Sequence, residues 1–168
     1  GNLDGELEPC GCSAEGDFGG IRRRATVLER LRREQPGAFV VSAGGLLSGF
    51  AANGQLTNEY ILKGFALLGY DAIGLQWGDL QYGDEFLKAP ALPWVASNWH
   101  DDEFSHQRRV SHGGRTVAFF SWLDPNTAPQ QSMQGDHGQV VNDSAALAKA
   151  LAQARPDGDL TMGTAGLT

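Results

Sequence analysis

GGIRRRATVLERLRREQPGAFVVSAGG, residues 19–45, decides the fold class. Ile21, Ala25, Leu28 and Leu31 recur at spacings of three and four, which places one apolar stripe along a helix that stops before Pro36-Gly37. AFVVSA (38–43) follows the turn signal as a short continuous apolar run, the pattern of a strand buried on both faces. A helix leading into a buried strand is the grammar of an α/β fold. The arginines at 22, 23, 24, 30, 32 and 33 share this helix with Glu29 and Glu34, so they read as a solvated helical face.

Outward from this unit the pattern repeats. TNEYILKGFALLG (57–69), with Thr57 or Asn58 as cap and Gly69 as stop, leads into a strand at YDAIGL (70–75). A short helical stretch around DEFLK (84–88) precedes a third strand at PWVAS (93–97). QRRVSHGGRTVAFFSWL (107–123) is then two β-rich runs joined at Gly113-Gly114, a hairpin signal. DPNTAPQQSMQGDHGQ (124–139) reads as a polar loop. NDSAALAKALAQARPDG (142–158) reads as a helix capped by Asn142, Asp143 or Ser144, and DLTMG (159–163) as a last strand. No repeat or linker divides the chain, so one domain over 1–168 is expected.

Composition narrows the function classes. With 41% hydrophobic and 9% aromatic residues in 168, the chain can bury a core. Its formal charge of −7 argues against a nucleic-acid surface, which needs clustered Lys and Arg. No run is long and apolar enough for a membrane span or a signal peptide.

The order of elements and several strings resemble the N-terminal catalytic domain of the calcineurin-like metallophosphoesterases of the bacterial 5'-nucleotidase branch. Asn2-Leu3-Asp4-Gly5 stands where that family has Asp-x-His-Gly, and Gly19-Gly20-Ile21-Arg22-Arg23 where it has Gly-Gly-x-x-Arg. Ala43-Gly44-Gly45 replaces Ala-Gly-Asp, Gly69-Tyr70-Asp71-Ala72 matches Gly-Tyr-Asp-Ala, and LPWVASN matches the strand ending at Asn98. The resemblance implies an α/β/β/α sandwich, shortened and lacking the family's usual C-terminal part.

It also implies where a dinuclear metal centre would lie: at Asn2, Asp4, Gly45, Trp77, Gly78 and Ala165. Of these only Asp4 keeps a carboxylate; Asn2 offers a carbonyl, and the other four offer no ligating side chain. No metal or other cofactor is therefore expected, and no catalytic residue. The rival reading, a phosphoesterase with a rebuilt site, would draw on Asn2, Asp4, Asp79 and Asn98.

A second resemblance is more specific. Gly5-Glu6-Leu7-Glu8-Pro9-Cys10-Gly11-Cys12, followed by Gly19-Gly20-Ile21-Arg22-Arg23-Arg24-Ala25, is similar to a degenerate extracytoplasmic subgroup of the same domain, often encoded near multihaem c-type cytochromes. It implies a periplasmic or otherwise extracytoplasmic protein, associated with a membrane through a partner or through an anchor upstream of Gly1. The expected role is a non-catalytic accessory subunit of a larger assembly containing cytochromes or membrane subunits. Cys10 and Cys12 themselves have three readings: a disulfide across one glycine, a soft-metal pair for Cu(I), or a redox pair exchanging with a partner thiol. The last two support a copper-handling or thiol-redox alternative. His100, His106, His112 and His137 read as solvent-exposed, with His100 beside Asp101 and Asp102 as a modest cluster for a divalent ion. Trp77, Trp94, Trp99 and Trp122 read as core or interface aromatics.

Overall fold

The computed structural model describes residues 3–8, 20–48, 54–128, 140–153 and 160–165. Helix α1 (Ile21–Glu34) leads to β1 (Val41–Ser42), α2 (Gly54–Leu68) to β2 (Ala72–Gly74), and a 3₁₀ segment (Trp77–Tyr82) with the short α3 (Asp84–Leu87) to β3 (Trp94–Val95). The hairpin β4 (Arg108–His112) and β5 (Arg115–Trp122) follows, then α4 (Ser144–Gln153) and β6 (Leu160–Ala165). β1, β2 and β3 form one parallel sheet in that order, and β4, β5 and β6 a second, with β4 antiparallel and β6 parallel to β5.

β5 explains why the sheets stack. Val117 to Ser121 are all buried, and successive residues face opposite ways along a strand. Phe119 joins Ala72, Val95 and Val41 between the two sheets. Ala118 and Phe120 meet Leu147, Ala150 and Leu151 of α4 on the other side. The outer face of the first sheet is covered by α1 and α2 through a cluster that includes Ile61, Leu62, Phe65 and Ile73. The layers are thus α/β/β/α, as the resemblance implied.

α1 is held by its inner face and not by its surface charges. The pairs Arg33–Glu29 and Arg30–Glu34 lie on side chains more than half exposed, and such i,i+4 pairs contribute only about 0.3–0.5 kcal/mol each. Ile21, Ala25 and Leu28 pack on the core. Gly64 makes that approach close: a Cβ there would stand 2.2 Å from Ile21 Cδ1. Two arginines read as solvated are in fact used. Arg24 donates to the Tyr70 hydroxyl at 3.0 Å and lies over the Phe65 ring. Arg32 donates to the carbonyls of Leu68 and Gly69, where the C-terminal end of α2 leaves acceptors unpaired. Leu31, placed on the apolar stripe by its spacing, is 39% exposed.

Strand lengths are shorter than the sequence suggested: two residues of AFVVSA and of PWVAS, and three of YDAIGL, pair in the sheet. The second helix starts at Gly54, before the expected cap. Asn58 is inside it, 1% exposed, and its Nδ2 donates to Ser48 O at 2.9 Å, so it pins a loop instead of starting a helix. Asp143 is the cap of α4, accepting from Ala146 N at 3.0 Å.

The two roles for Asn58 are separable. As a pin it needs a donor, so Asn58→Asp, which suits a cap, should destabilise the fold more than Asn58→Ala, whose cost for an unpaired buried carbonyl is about 1–3 kcal/mol. Urea unfolding of the two variants would show it; an Asp variant as stable as wild type would restore the capping role.

Candidate functional site

Three chain segments converge at the C-terminal ends of β1 and β2. Leu3 N and Asp4 N both donate to Gly45 O, at 2.8 and 3.1 Å, and Gly5 N donates to Leu46 O at 3.0 Å. The 3₁₀ segment closes on the same loop, since a Cβ on Gly78 would lie 3.9 Å from Leu47 O. Four positions singled out in the sequence, Asp4, Gly45, Trp77 and Gly78, thus belong to one cluster of loops. Ala165 lies in β6, of which only the backbone is described. Asn2, Cys10, Cys12 and His137 lie outside the described residues, although Ile21 N bonds to Leu7 O at 3.0 Å and so ties together the two ends of the cysteine-bearing segment.

Asp79 organises this cluster. It is fully buried, and Oδ2 accepts from Gly45 N at 2.9 Å and Gln76 N at 3.1 Å, while Oδ1 accepts from Leu46 N at 2.7 Å and Leu47 N at 3.1 Å. Gly44 and Gly45, at φ 94° and 66°, turn the backbone so that consecutive N–H groups point at one carboxylate. Gly44 leaves no alternative, because a Cβ there would stand 2.2 Å from Gly74 O. The sequence carried this signal only as Asp79 near the expected site; nothing in it showed that the carboxylate would serve backbone donors.

A two-metal centre needs carboxylate and imidazole ligands aimed at a common point. The described residues do not fit one. Asp79 has both oxygens filled by four N–H donors, Gly45 and Gly78 have no side chain, and the indole Nε1 of Trp77 donates to Asp124 O at 2.8 Å. Asp4 keeps its carboxylate, exposed, on a residue at φ 51°. Asn98 is likewise engaged: Nδ2 donates to Leu123 O at 2.8 Å and Oδ1 accepts from Leu123 N at 3.0 Å, which ties the end of β3 to the end of β5.

His100 stays beside Asp101, and a second histidine–aspartate pairing appears elsewhere. His100 Nε2 lies 3.5 Å from Asp101 Oδ2, and both side chains are nearly half exposed. His112 is not a free surface imidazole: its Nε2 is 2.8 Å from Asp71 Oδ1 and its ring packs on Phe39. Among the described residues, the acidic groups that converge are Asp84, Glu85 and Glu103, with oxygens within 4.8 Å of one another. Lys88 already pairs with both Glu85 and Glu103. The hydrogen bond from Glu103 holds the Asp84 carboxyl below its usual value, and burial pushes Glu103 up. The Lys88 ammonium sits against this group, and the long stretch of sequence between Glu85 and Glu103 hides it from motif reading.

Burial pushes the Asp79 carboxyl up from 3.8 to about 6, against the four N–H groups that favour its ionised form. The folded value lies above the unfolded one, so this group's contribution to stability is greatest below pH 4 and is lost as pH rises from about 4 to 6. Asp79→Asn should remove that slope. It should also destabilise the protein at neutral pH by about 2–4 kcal/mol, because an amide nitrogen would face backbone donors and leave them unpaired. Urea midpoints at several pH values check both effects, and a variant with wild-type stability at pH 7 would refute the clamp.

No protein-family model matches the sequence, and no curated protein matches it. Solved structures do. The NAD nucleotidase NadN of Haemophilus influenzae superposes with a TM-score of 0.71 at 17% identity, over 89% of this chain and 32% of that one. SoxB of Thermus thermophilus, a sulfate thiohydrolase solved with glycerol, gives 0.69 at 18% identity, over 89% and 30%. A 5'-nucleotidase precursor, also of Thermus thermophilus, gives 0.67 at 18%, over 99% and 36%. The chain spans about a third of the length of each. What these likenesses establish is the fold: an α/β/β/α sandwich of the 5'-nucleotidase-type metallophosphoesterases.

Proposed function

We propose that this chain is a non-catalytic accessory or structural subunit, built on a phosphoesterase fold whose dinuclear metal site has been lost. One observation carries the reading. Where the chain segments converge, the buried carboxylate of Asp79 is spent on four backbone N–H groups, and the neighbouring Gly45 and Gly78 bring no ligand. A carboxylate so saturated holds loops in place; it has no lone pair left directed at an ion. The role we propose is docking within a larger extracytoplasmic assembly containing c-type cytochromes or membrane subunits. Its support is the Glu-Pro-Cys-Gly-Cys string at 8–12. Among the described residues no helix is long and apolar enough to cross a membrane, so attachment through a partner or an anchor is part of the same reading.

The competing hydrolase reading, in which Asp4, Asp79 and Asn98 join Asn2 in a rebuilt site, meets two groups already committed to backbone partners. Purified protein incubated with manganese should retain no stoichiometric metal after desalting and should not hydrolyse nitrophenyl phosphate above the protein-free rate. Turnover that scales with protein and disappears in Asp4→Ala would replace the accessory role with catalysis. Copper competition on wild type and the Cys10→Ser, Cys12→Ser double variant tests the thiol alternative separately: equal Cu(I) affinity of the two proteins removes it.

A further inference from the structure

A slot of about 410 Å³ opens between α4 and the outer face of the second sheet, apart from the Asp79 loops. One wall is aromatic: Phe120 and Trp122, two apart on β5, present their rings to the same side. The opposite wall is aliphatic and low, because Ala146 and Ala150, one turn apart on α4, leave room that larger side chains would fill, with Leu147 beside them. Ala118 and Phe120 are covered by α4, whereas Trp122, farther along the strand, is only half-buried, and the slot opens at that end. A gap between a flat aromatic face and a row of methyls suits a planar ring, and its volume lies within the range of small-molecule sites.

The rim sets the charge of the occupant. His100, His106 and Gln107 supply hydrogen-bonding edges. His106 Nε2 lies 2.7 Å from the Asp101 carbonyl oxygen, which keeps the proton of the neutral ring on Nε2 and leaves Nδ1 as an acceptor. Among the described residues that line it there is no Lys or Arg, whereas Asp143 lines the slot and Asp101 stands 3.5 Å from the His100 ring. A phosphate or carboxylate would enter without a counter-charge and against two acidic groups. Aromatic faces, by contrast, attract cations.

We propose that this slot binds an uncharged or cationic planar aromatic small molecule, a ligand class unlike the phosphoesters that a metal centre would handle. Indole, tryptamine and indole-3-acetate, identical in ring and different in charge, probe it directly by NMR titration of the protein. Indole and tryptamine should show nuclear Overhauser contacts to the Ala146 and Ala150 methyls, and indole-3-acetate should bind at least about tenfold more weakly. Ala146→Leu, at an exposed position where leucine keeps the helix, should weaken indole by about tenfold or more while leaving the urea midpoint near wild type. Should that variant not fold, the Overhauser contacts in wild type decide alone. Absence of those contacts, equal binding of indole-3-acetate, or unchanged affinity in a folded Ala146→Leu protein would overturn the proposal.

Discussion

One buried carboxylate holds this end of the molecule together. Asp79 accepts hydrogen bonds from the chain before it, at Gln76, and from three successive residues after β1, at Gly45, Leu46 and Leu47. The first sheet is short, two or three residues per strand, so strand pairing alone gives it few hydrogen bonds. The clamp extends the order of β1 and β2 beyond their paired residues and supplies the surface on which Leu3 to Gly5 settle. Taking a carboxylate out of water is costly, and two donors on each oxygen offset that cost in part.

That arrangement has a functional consequence. The loops at the C-terminal ends of parallel strands are where α/β sheets usually gather binding and catalytic groups. Here the same loops gather backbone N–H groups around the Asp79 carboxylate, and glycines, Gly45 and Gly78, stand at two of the positions where the family resemblance implies metal ligands. The rest of the sandwich is conventionally built: Phe119 between the sheets, Phe120 under α4, and Phe65 of α2 in the cluster between the helices and the first sheet fill the three interfaces. The frame is the fold shared with the superposed structures.

Much of the site was legible by position and little by role. Gly45 and Gly78 could be seen to lack ligands from the string alone, because a missing side chain is a sequence fact. Asp4 and Gly45, singled out from strings some forty residues apart, meet through a backbone hydrogen bond. Asp79 was visible only as a nearby acid. Its partners are backbone N–H groups, which every non-proline residue carries, so no residue pattern could announce them. The trio of Asp84, Glu85 and Glu103 was missed for a related reason: α3 and the loop after β3 meet only in three dimensions, and Lys88 joins them there. His112, read as exposed, pairs with Asp71 because the hairpin folds back over the turn before β2.

By itself the sequence determined the elements of this protein and their order. The apolar stripe of Ile21, Ala25 and Leu28, the two β-rich runs of the hairpin, the Gly113-Gly114 turn and the alternation of helix and strand are local properties, set by periodicity and backbone conformation, and they recur in the fold, whereas AFVVSA, read as buried on both faces, pairs over two residues and leaves Ala43 exposed. Tertiary structure alone decided what Asn58, Arg24, Arg32 and Asp79 do. Each has at least one hydrogen-bond partner ten to forty-six residues away, and a polar group takes its role from whichever donor or acceptor the packing brings within about 3 Å.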